Sequence, residues 1–378
     1  MLKQYSILFI IISLTNNSFS QENNIMFSSD RLILGVSKER TASVSSGDID
    51  NDGDLDIIIA NGRHWPGQNK IFINDGRGIF TIEKNLGAQR STTYAAELGD
   101  FDLDGDLDIA VGNDMAPNYI YTNNGNGDFI KTSSFGKRYS RTRNITLSDI
   151  DNDGDIDILI TNRTEPNEIC INNGQGEFIE NFSFGSKDDA TIDVEIADMN
   201  NDGKNDLILA NRNSQPNYIY INDGNLNFSK KIQFGTGEDN TRAVGVADFN
   251  KDGYQDIVTA NIQEQNIIYF GSKDFNFSNS VSLDNSSSSS FSVAISDLDL
   301  DNDMDIIIGN SPGQNYIFLN TSNGSVWEKA QLSKELFRTY DIITSDLNND
   351  GLHDIIEANS DAINRYYFNQ KKFDPRKN

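Results

Sequence analysis

A nine-residue acidic string, Asp-x-Asp/Asn-x-Asp-Gly-x-x-Asp, starts at Asp48 and again at Asp100, Asp149, Asp198, Asp248, Asp297 and Asp346. The intervals are 52, 49, 49, 50, 49 and 49 residues. Self-similarity at a fixed period of this size marks a repeat architecture in which neighbouring units bury one another. Each string runs into a short apolar segment ending in Asn, at Asn61, Asn113, Asn162, Asn211, Asn261, Asn310 and Asn359. Those segments are rich in Ile and Val and read as buried strands. After a loop comes a further run such as residues 217–222, then Asp223-Gly224, a tight hairpin turn like Asn124-Gly125. Residues 228–234 form another strand, and residues 242–247 lead into the next acidic string. Four antiparallel strands in about 50 residues make one propeller blade, so the chain is expected to be all-β, a seven-bladed β-propeller of four-stranded blades.

The ends suggest how the ring closes. The last acidic string leaves room for only two strands, residues 354–358 and 365–368, before a basic tail, residues 371–378. Residues 26–34 precede the first string and resemble an outer strand. The expectation is that this N-terminal strand completes the last blade and removes a sheet edge. Residues 326–332 align as the outer strand of the sixth unit rather than a helix.

The acidic strings have the chemistry of a hard-cation loop. Position one is Asp48, Asp100, Asp149, Asp198, Asp248, Asp297 and Asp346. Position three is Asp50, Asp102, Asp151, Asn200, Asn250, Asp299 and Asn348; position five is Asp52, Asp104, Asp153, Asp202, Asp252, Asp301 and Asp350. Position nine is Asp56, Asp108, Asp157, Asp206, Asp256, Asp305 and Asp354. Position seven varies freely, as Asp54, Asp106, Asp155, Lys204, Tyr254, Asp303 and Leu352, as expected if only its carbonyl is used. Gly permits the sharp turn at position six and is replaced once, by Asn302. Three or four converging carboxylates repel unless a cation joins them, so Ca2+ is expected, in up to seven loops. An EF-hand is excluded, because position twelve is apolar and a strand follows.

Composition narrows the function. Asp and Glu number 57 against 31 Lys and Arg, a net charge of −26, which argues against nucleic acid as a partner. One cysteine, Cys170, and two histidines, His64 and His353, exclude a disulfide framework and a Cys- or His-rich metal site. Lys3, an apolar run over residues 5–14, and Ser18 and Ser20 before Gln21 read as a secretory signal peptide, residues 1–20, cut near Ser20-Gln21. The apolar run is too short for a membrane span. The mature protein, residues 21–378, is then one domain, monomeric, in the periplasm or outside the cell.

The acidic loops, together with Phe135-Gly136, Phe184-Gly185 and Phe234-Gly235, resemble FG-GAP/VCBS repeats, the unit of the integrin-α-like propeller. The resemblance spans residues 26–368. It implies calcium loops between first and second strands on one rim, with the opposite face built from the other loops. By that rule, ten of 14 arginines fall on the opposite face: Arg40, Arg63, Arg90, Arg138, Arg141, Arg143, Arg163, Arg212, Arg242 and Arg338. His64 and Trp65 lie in its longest loop, Tyr94, Tyr139 and Tyr340 lie in loops entering first strands, and the strand-end Asn residues border it or cap strands. Arginine forks bind carboxylates and sulfates bidentately. The expected ligand site is therefore Arg63, His64, Trp65, Arg90, Arg141, Arg143, Arg163, Arg212, Arg242 and Arg338, and the expected partner an anionic glycan or a protein.

No nucleophile elbow, P-loop or dinucleotide fingerprint is present. The first expectation is a ligand-binding or adhesion module. A polysaccharide lyase with Tyr94, Tyr139, Lys137 or His64 as base is the alternative, and a periplasmic scaffold the third.

Overall fold

The computed structural model describes residues 25–27 and 29–370. The expected signal peptide and the basic tail lie outside the described residues. Within them strand follows strand from Met26 to Asn369.

The apolar run after each acidic loop is the second strand of its unit. Asp56–Asn61, Asp108–Asn113, Asp157–Asn162, Asp206–Asn211, Asp256–Asn261 and Asp305–Asn310 are buried at every position. Each is covered on both faces by neighbouring units, which is why both alternate sets of side chains are apolar. Ile58, Ala60 and Ile71 of the first unit pack against Ile109, Val111 and Tyr121 of the second. The same packing continues around the molecule until Leu347, Ile356 and Tyr366 meet Leu34, Ile57 and Phe72. Fully burying one such Ile or Leu contributes about 1.5–3 kcal/mol. Cys170 is one of these buried core residues.

The described residues form six sheets, so the expectation of seven separate blades is corrected. Five sheets have four antiparallel strands each, and the sixth has seven. The reason lies at the chain ends. Ile33–Gly47, of 15 residues, and Asp354–Asn369, of 16 residues, are continuous strands that span what the repeat pattern reads as two units. Thr41 to Gly47 pair with Asp56–Asn61, while Ile33, Leu34, Glu39 and Arg40 pair with Asp354–Asn369. Thr339–Ser345 pairs with the start of that last strand, and Met26–Phe27 pairs with its end at Phe368 and Asn369. N-terminal backbone thus closes the ring, in the same hydrogen-bonded sheet as the first and last repeats. The sixth unit ends in the strand Trp327–Gln331.

One irregularity recurs and positions the site. In every first strand the ladder to the second strand skips one residue, as from Thr41 to Ser43 and from Thr191 to Asp193. The skipped residues are Ala42, Tyr94, Arg143, Ile192, Arg242, Phe291 and Tyr340. A bulge of this kind re-aims its unpaired side chain. The pair before six of the seven bulges is a hydroxyl–amide latch, for example Thr41 Oγ1 donating to Asn61 Oδ1 at 2.8 Å and Thr339 Oγ1 to Asn359 Oδ1 at 2.8 Å; at Thr241 and Asn261 the amide oxygen is buried without a donor among the described residues. All seven strand-end Asn residues are buried and do not line a ligand face.

Candidate functional site

The acidic loops join each first strand to its second, where Gly47 pairs with Asp56 and Ser345 with Asp354. The bulges lie at the other end of the same strands, so the two groups of residues occupy opposite ends of the molecule.

Within each loop the carboxylates first organise the backbone. Asp48 Oδ1 accepts the Asp52 N–H at 3.1 Å and its Oδ2 accepts the Gly53 N–H at 3.0 Å. Asp52 Oδ1 accepts the Asp54 N–H at 3.0 Å. Asp56 is buried and accepts the N–H groups of Ile49 at 3.2 Å and Asn74 at 2.8 Å. Burial pushes the carboxyls at position nine up, to about 6 at Asp56 and about 7 at Asp108, partly offset by the two backbone donors. Position four adopts a left-handed backbone in every loop, with φ of 60° at Asn51, Leu103 alike, and 57° at Leu300. Side chains at position seven reach sideways: Asp106 accepts Asn51 Nδ2 at 2.7 Å, Asp54 accepts Asn349 Nδ2 at 2.7 Å, and Lys251 pairs with Asp303. Lys204 Nζ meets the Asp223 carbonyl at 3.2 Å.

Position three divides the loops. Asp50, Asp102 and Asp299 each bury an Oδ1 that has no donor among the described residues. Asn200, Asn250 and Asn348 instead accept the N–H of Asp202, Asp252 and Asp350 at 2.8, 2.9 and 3.1 Å. Four groups bring three carboxylate oxygens within 4.8 Å of one another: Asp48, Asp50, Asp56; Asp100, Asp102, Asp104; Asp149, Asp151, Asp157; and Asp297, Asp299, Asp305. These are the four loops with Asp at position three. Burial, then the neighbouring carboxylates, raises the pKa of Asp50, Asp102, Asp151 and Asp299. An all-oxygen donor set with an unmatched buried oxygen fits a hard divalent cation. The three Asn loops have engaged that oxygen already.

At the opposite end six of the bulge residues line a central cavity of about 520 Å³, while Ile192 is buried in the core. Arg143 and Arg242 line it with Tyr94, Phe291 and Tyr340. Arginine alternates with aromatic: the Arg143 guanidinium lies 4.4 Å from the Tyr94 ring centre, Arg63 4.0 Å from Tyr340 and Arg242 5.6 Å from Phe291. Arg63 also donates to Ser360 Oγ at 3.1 Å, and His64 Nδ1 meets the Tyr94 hydroxyl at 2.8 Å. Arg143 pairs with Asp114 at 3.0 Å. Arg212 has no carboxylate partner among the described residues. Burial holds its pKa below the usual value, and the nearest charges, Arg242, Arg163 and Arg143, act in the same direction.

Of the arginines named from the sequence, Arg143 and Arg242 line the cavity, Arg63 lies on Tyr340 of its lining and 4.0 Å from Asp361, and Arg212 is within electrostatic reach of Arg143, Arg163 and Arg242. Arg338 and Arg40 are drawn off by Asp361, at 3.6 and 3.1 Å. Arg141 rests on Thr164 Oγ1 at 3.1 Å, Arg90 is exposed, and Trp65 is 67% exposed at the periphery. Tyr139 is likewise exposed and lies beside Arg138. Arg143, Arg242, Tyr94 and Tyr340 sit within first strands rather than in the entering loops. Sequence reasoning missed Phe291 and four acids deeper in the cavity: Glu97, Asp193, Glu195 and Asp341. Their signal was present, as charges at alternate positions of otherwise apolar strands.

Residues 48–111, 100–160, 149–209, 198–259, 248–308 and 297–357 each match the FG-GAP-like repeat. No curated protein matches the sequence. Among solved structures, BBS1N in complex with ARL6DN, soaked with lead, is similar with a TM-score of 0.63 at 13% identity, over 94% of this chain and 99% of that one. The mercury-soaked form of that complex gives 0.61 at 13% identity, over 92% and 97%. Chaetomium thermophilum Raptor gives 0.58 at 11% identity, over 90% of this chain and 29% of that one. At such identities the likeness is one of fold. No helix among the described residues is long and apolar enough to cross a membrane.

Proposed function

This chain belongs to the FG-GAP-like repeat family, and on that premise we propose that it is an exported ligand-binding module. Its arginine-ringed mouth takes an anionic group of a glycan or a protein, and its acidic loops hold calcium at the opposite end. The observation that carries the binding assignment is Arg212, partly buried among Arg143, Arg163 and Arg242 with no carboxylate partner among the described residues. Gathering like charges costs free energy, and an arriving anion recovers it through bidentate, charge-assisted hydrogen bonds. The aromatic rings between the guanidiniums offer faces on which a sugar ring or side chain stacks. A protein partner agrees with BBS1N, a protein of similar fold, being in complex with ARL6DN. Residues 1–20 support export.

Calcium rests on the loops with Asp at position three. Asp48, Asp50 and Asp56, with their counterparts, would hold the ion, which supplies the positive charge those converging carboxylates lack. The ion then acts as a structural staple, in a chain with no disulfide.

The His64–Tyr94 pair beside Arg63 and Arg143 is the arrangement a lyase would use. Burial, however, raises the Tyr94 pKa, opposite to what a phenolate base needs. Binding is therefore preferred to turnover.

The test is equilibrium binding to acidic polymers, polygalacturonate and polyglutamate, with size-exclusion as the readout. Arg163→Gln with Arg212→Gln should weaken binding by at least tenfold, since a hydrogen bond to a charged group contributes about 1.5–3 kcal/mol, while the melting temperature holds. Undiminished binding by the double variant would overturn the assignment, and shortening of the polymer would favour the lyase.

A further inference from the structure

The cavity continues below the arginine ring and changes sign. Each first strand runs from the mouth toward the acidic loops, advancing about 3.3 Å per residue. One residue beyond the bulge, Asp193 and Asp341 face the cavity, and two residues further come Glu97 and Glu195, roughly 10 Å along the strand from the bulge. Four carboxyls thus line the interior.

They are held in place by the strands that carry them. Asp193 accepts Asn144 Nδ2 at 2.6 Å and the Val244 N–H at 3.2 Å. Asp341 accepts Ser292 Oγ at 2.9 Å and the Val44 N–H at 3.1 Å. Glu97 accepts Ser45 Oγ at 2.6 Å, and Glu195 has no side-chain donor among the described residues. Arg242 faces Asp193 and Asp341 and is the cation set against the group. Burial, reinforced by the neighbouring carboxylates, pushes Glu97 and Glu195 up to about 8. Arg242 is thus the one cation set against four carboxyls in the cavity lining, while at the mouth Arg143 is held by Asp114 and Arg212 has no carboxylate partner among the described residues.

We propose that mouth and cavity together form a site for a dipolar ligand, with a free carboxylate at Arg143, Arg212 and Arg242 and a guanidinium or ammonium a few methylenes away among Glu97, Asp193, Glu195 and Asp341. The chemical class is a basic amino acid, above all a peptide ending in arginine or lysine. This rests on the binding role of the mouth and adds its substrate class. A purely anionic ligand leaves the four interior carboxyls with Arg242 alone, and an inorganic cation leaves Arg212 without a partner. The volume of about 520 Å³ accommodates a capped amino acid with its solvent.

Titration calorimetry on the calcium-loaded protein would compare three probes. Nα-acetyl-L-arginine carries both charges, agmatine lacks the carboxylate, and Nα-acetyl-L-citrulline lacks the guanidinium charge. The first should bind at least tenfold tighter than the other two. Glu97→Gln with Glu195→Gln should remove that preference. Equal binding of the three probes, or no binding of any, overturns the proposal, and so does an unchanged preference in the Gln variant. The probe series on the unaltered protein decides even if the variant fails to fold. Polymer binding measured alongside separates the two readings. If polyglutamate binds and Nα-acetyl-L-arginine does not, the mouth remains an anion site and the dipolar class is wrong. If neither binds, both readings fall.

Discussion

Single side chains here are asked to hold charges that water would otherwise hold. Glu97 and Glu195 have folded-state pKa values raised from 4.5 to about 8, chiefly by burial. The folded protein then keeps protons that the unfolded chain has released, so these groups lower stability as pH rises from about 4.5 to about 8 and add no further slope above it. Glu97→Gln with Glu195→Gln removes that dependence. The variant should melt higher than the parent at pH 9 and close to it at pH 5, by scanning calorimetry at constant calcium. A variant that melts lower at pH 9 would mean that these carboxylates are compensated in the folded state. The sequence carried part of this residue-level picture. Asp at positions one, five and nine and Asn at the strand ends are read from the repeat alone. The ring of bulge residues is not, because a skipped residue is defined by pairing to a partner strand and leaves no mark in composition. For that reason Arg143 and Arg242 are legible as face residues but misplaced into loops.

At the scale of the element, the acidic loop is first of all a backbone device. Position four is left-handed in all seven loops and is Asn in four of them, but Leu103, Lys251 and Leu300 occupy it elsewhere. A left-handed conformation costs an ordinary residue about 1–2 kcal/mol, and Asn less. Leu103 is 55% exposed and has little packing to lose. Asn51 at the same position bonds Asp106 of the following loop, and the corresponding acceptor for residue 103 is Asp155. Leu103→Asn should therefore stabilise the protein by about 1 kcal/mol and raise its melting temperature by ~2–4 °C. A lower melting temperature would show that Leu103 makes contacts that outweigh the backbone strain. The loop positions were legible because the period is nearly constant. The inter-loop bonds were not, because they depend on how far one unit is rotated from the next.

The described residues form a ring closed by the ends of the chain and held by seven buried apolar clusters. The all-β propeller architecture was legible from the spacing. The sheet count was not, because Ile33–Gly47 and Asp354–Asn369 run unbroken between units that the repeat pattern treats as separate. With a net charge of −26, the ring would be strongly stabilised by cations. Four ions bound at several times their dissociation constants contribute about 1 kcal/mol each, so excess chelator should lower the melting temperature on the order of 10 °C. An unchanged melt would remove calcium from the account. Asp102→Ala should lose part of the effect and Asn200→Ala much less, since Asn200 is already engaged with Asp202.

The most direct measurement of the binding role is a hydrogen–deuterium exchange footprint with and without polyglutamate. Binding at the mouth should slow exchange in residues 62–67, 163–166 and 212–215 and at the bulges around Tyr94, Arg143 and Arg242, with the acidic loops unaffected. Slowed exchange confined to the acidic loops or the outer strands would contradict it.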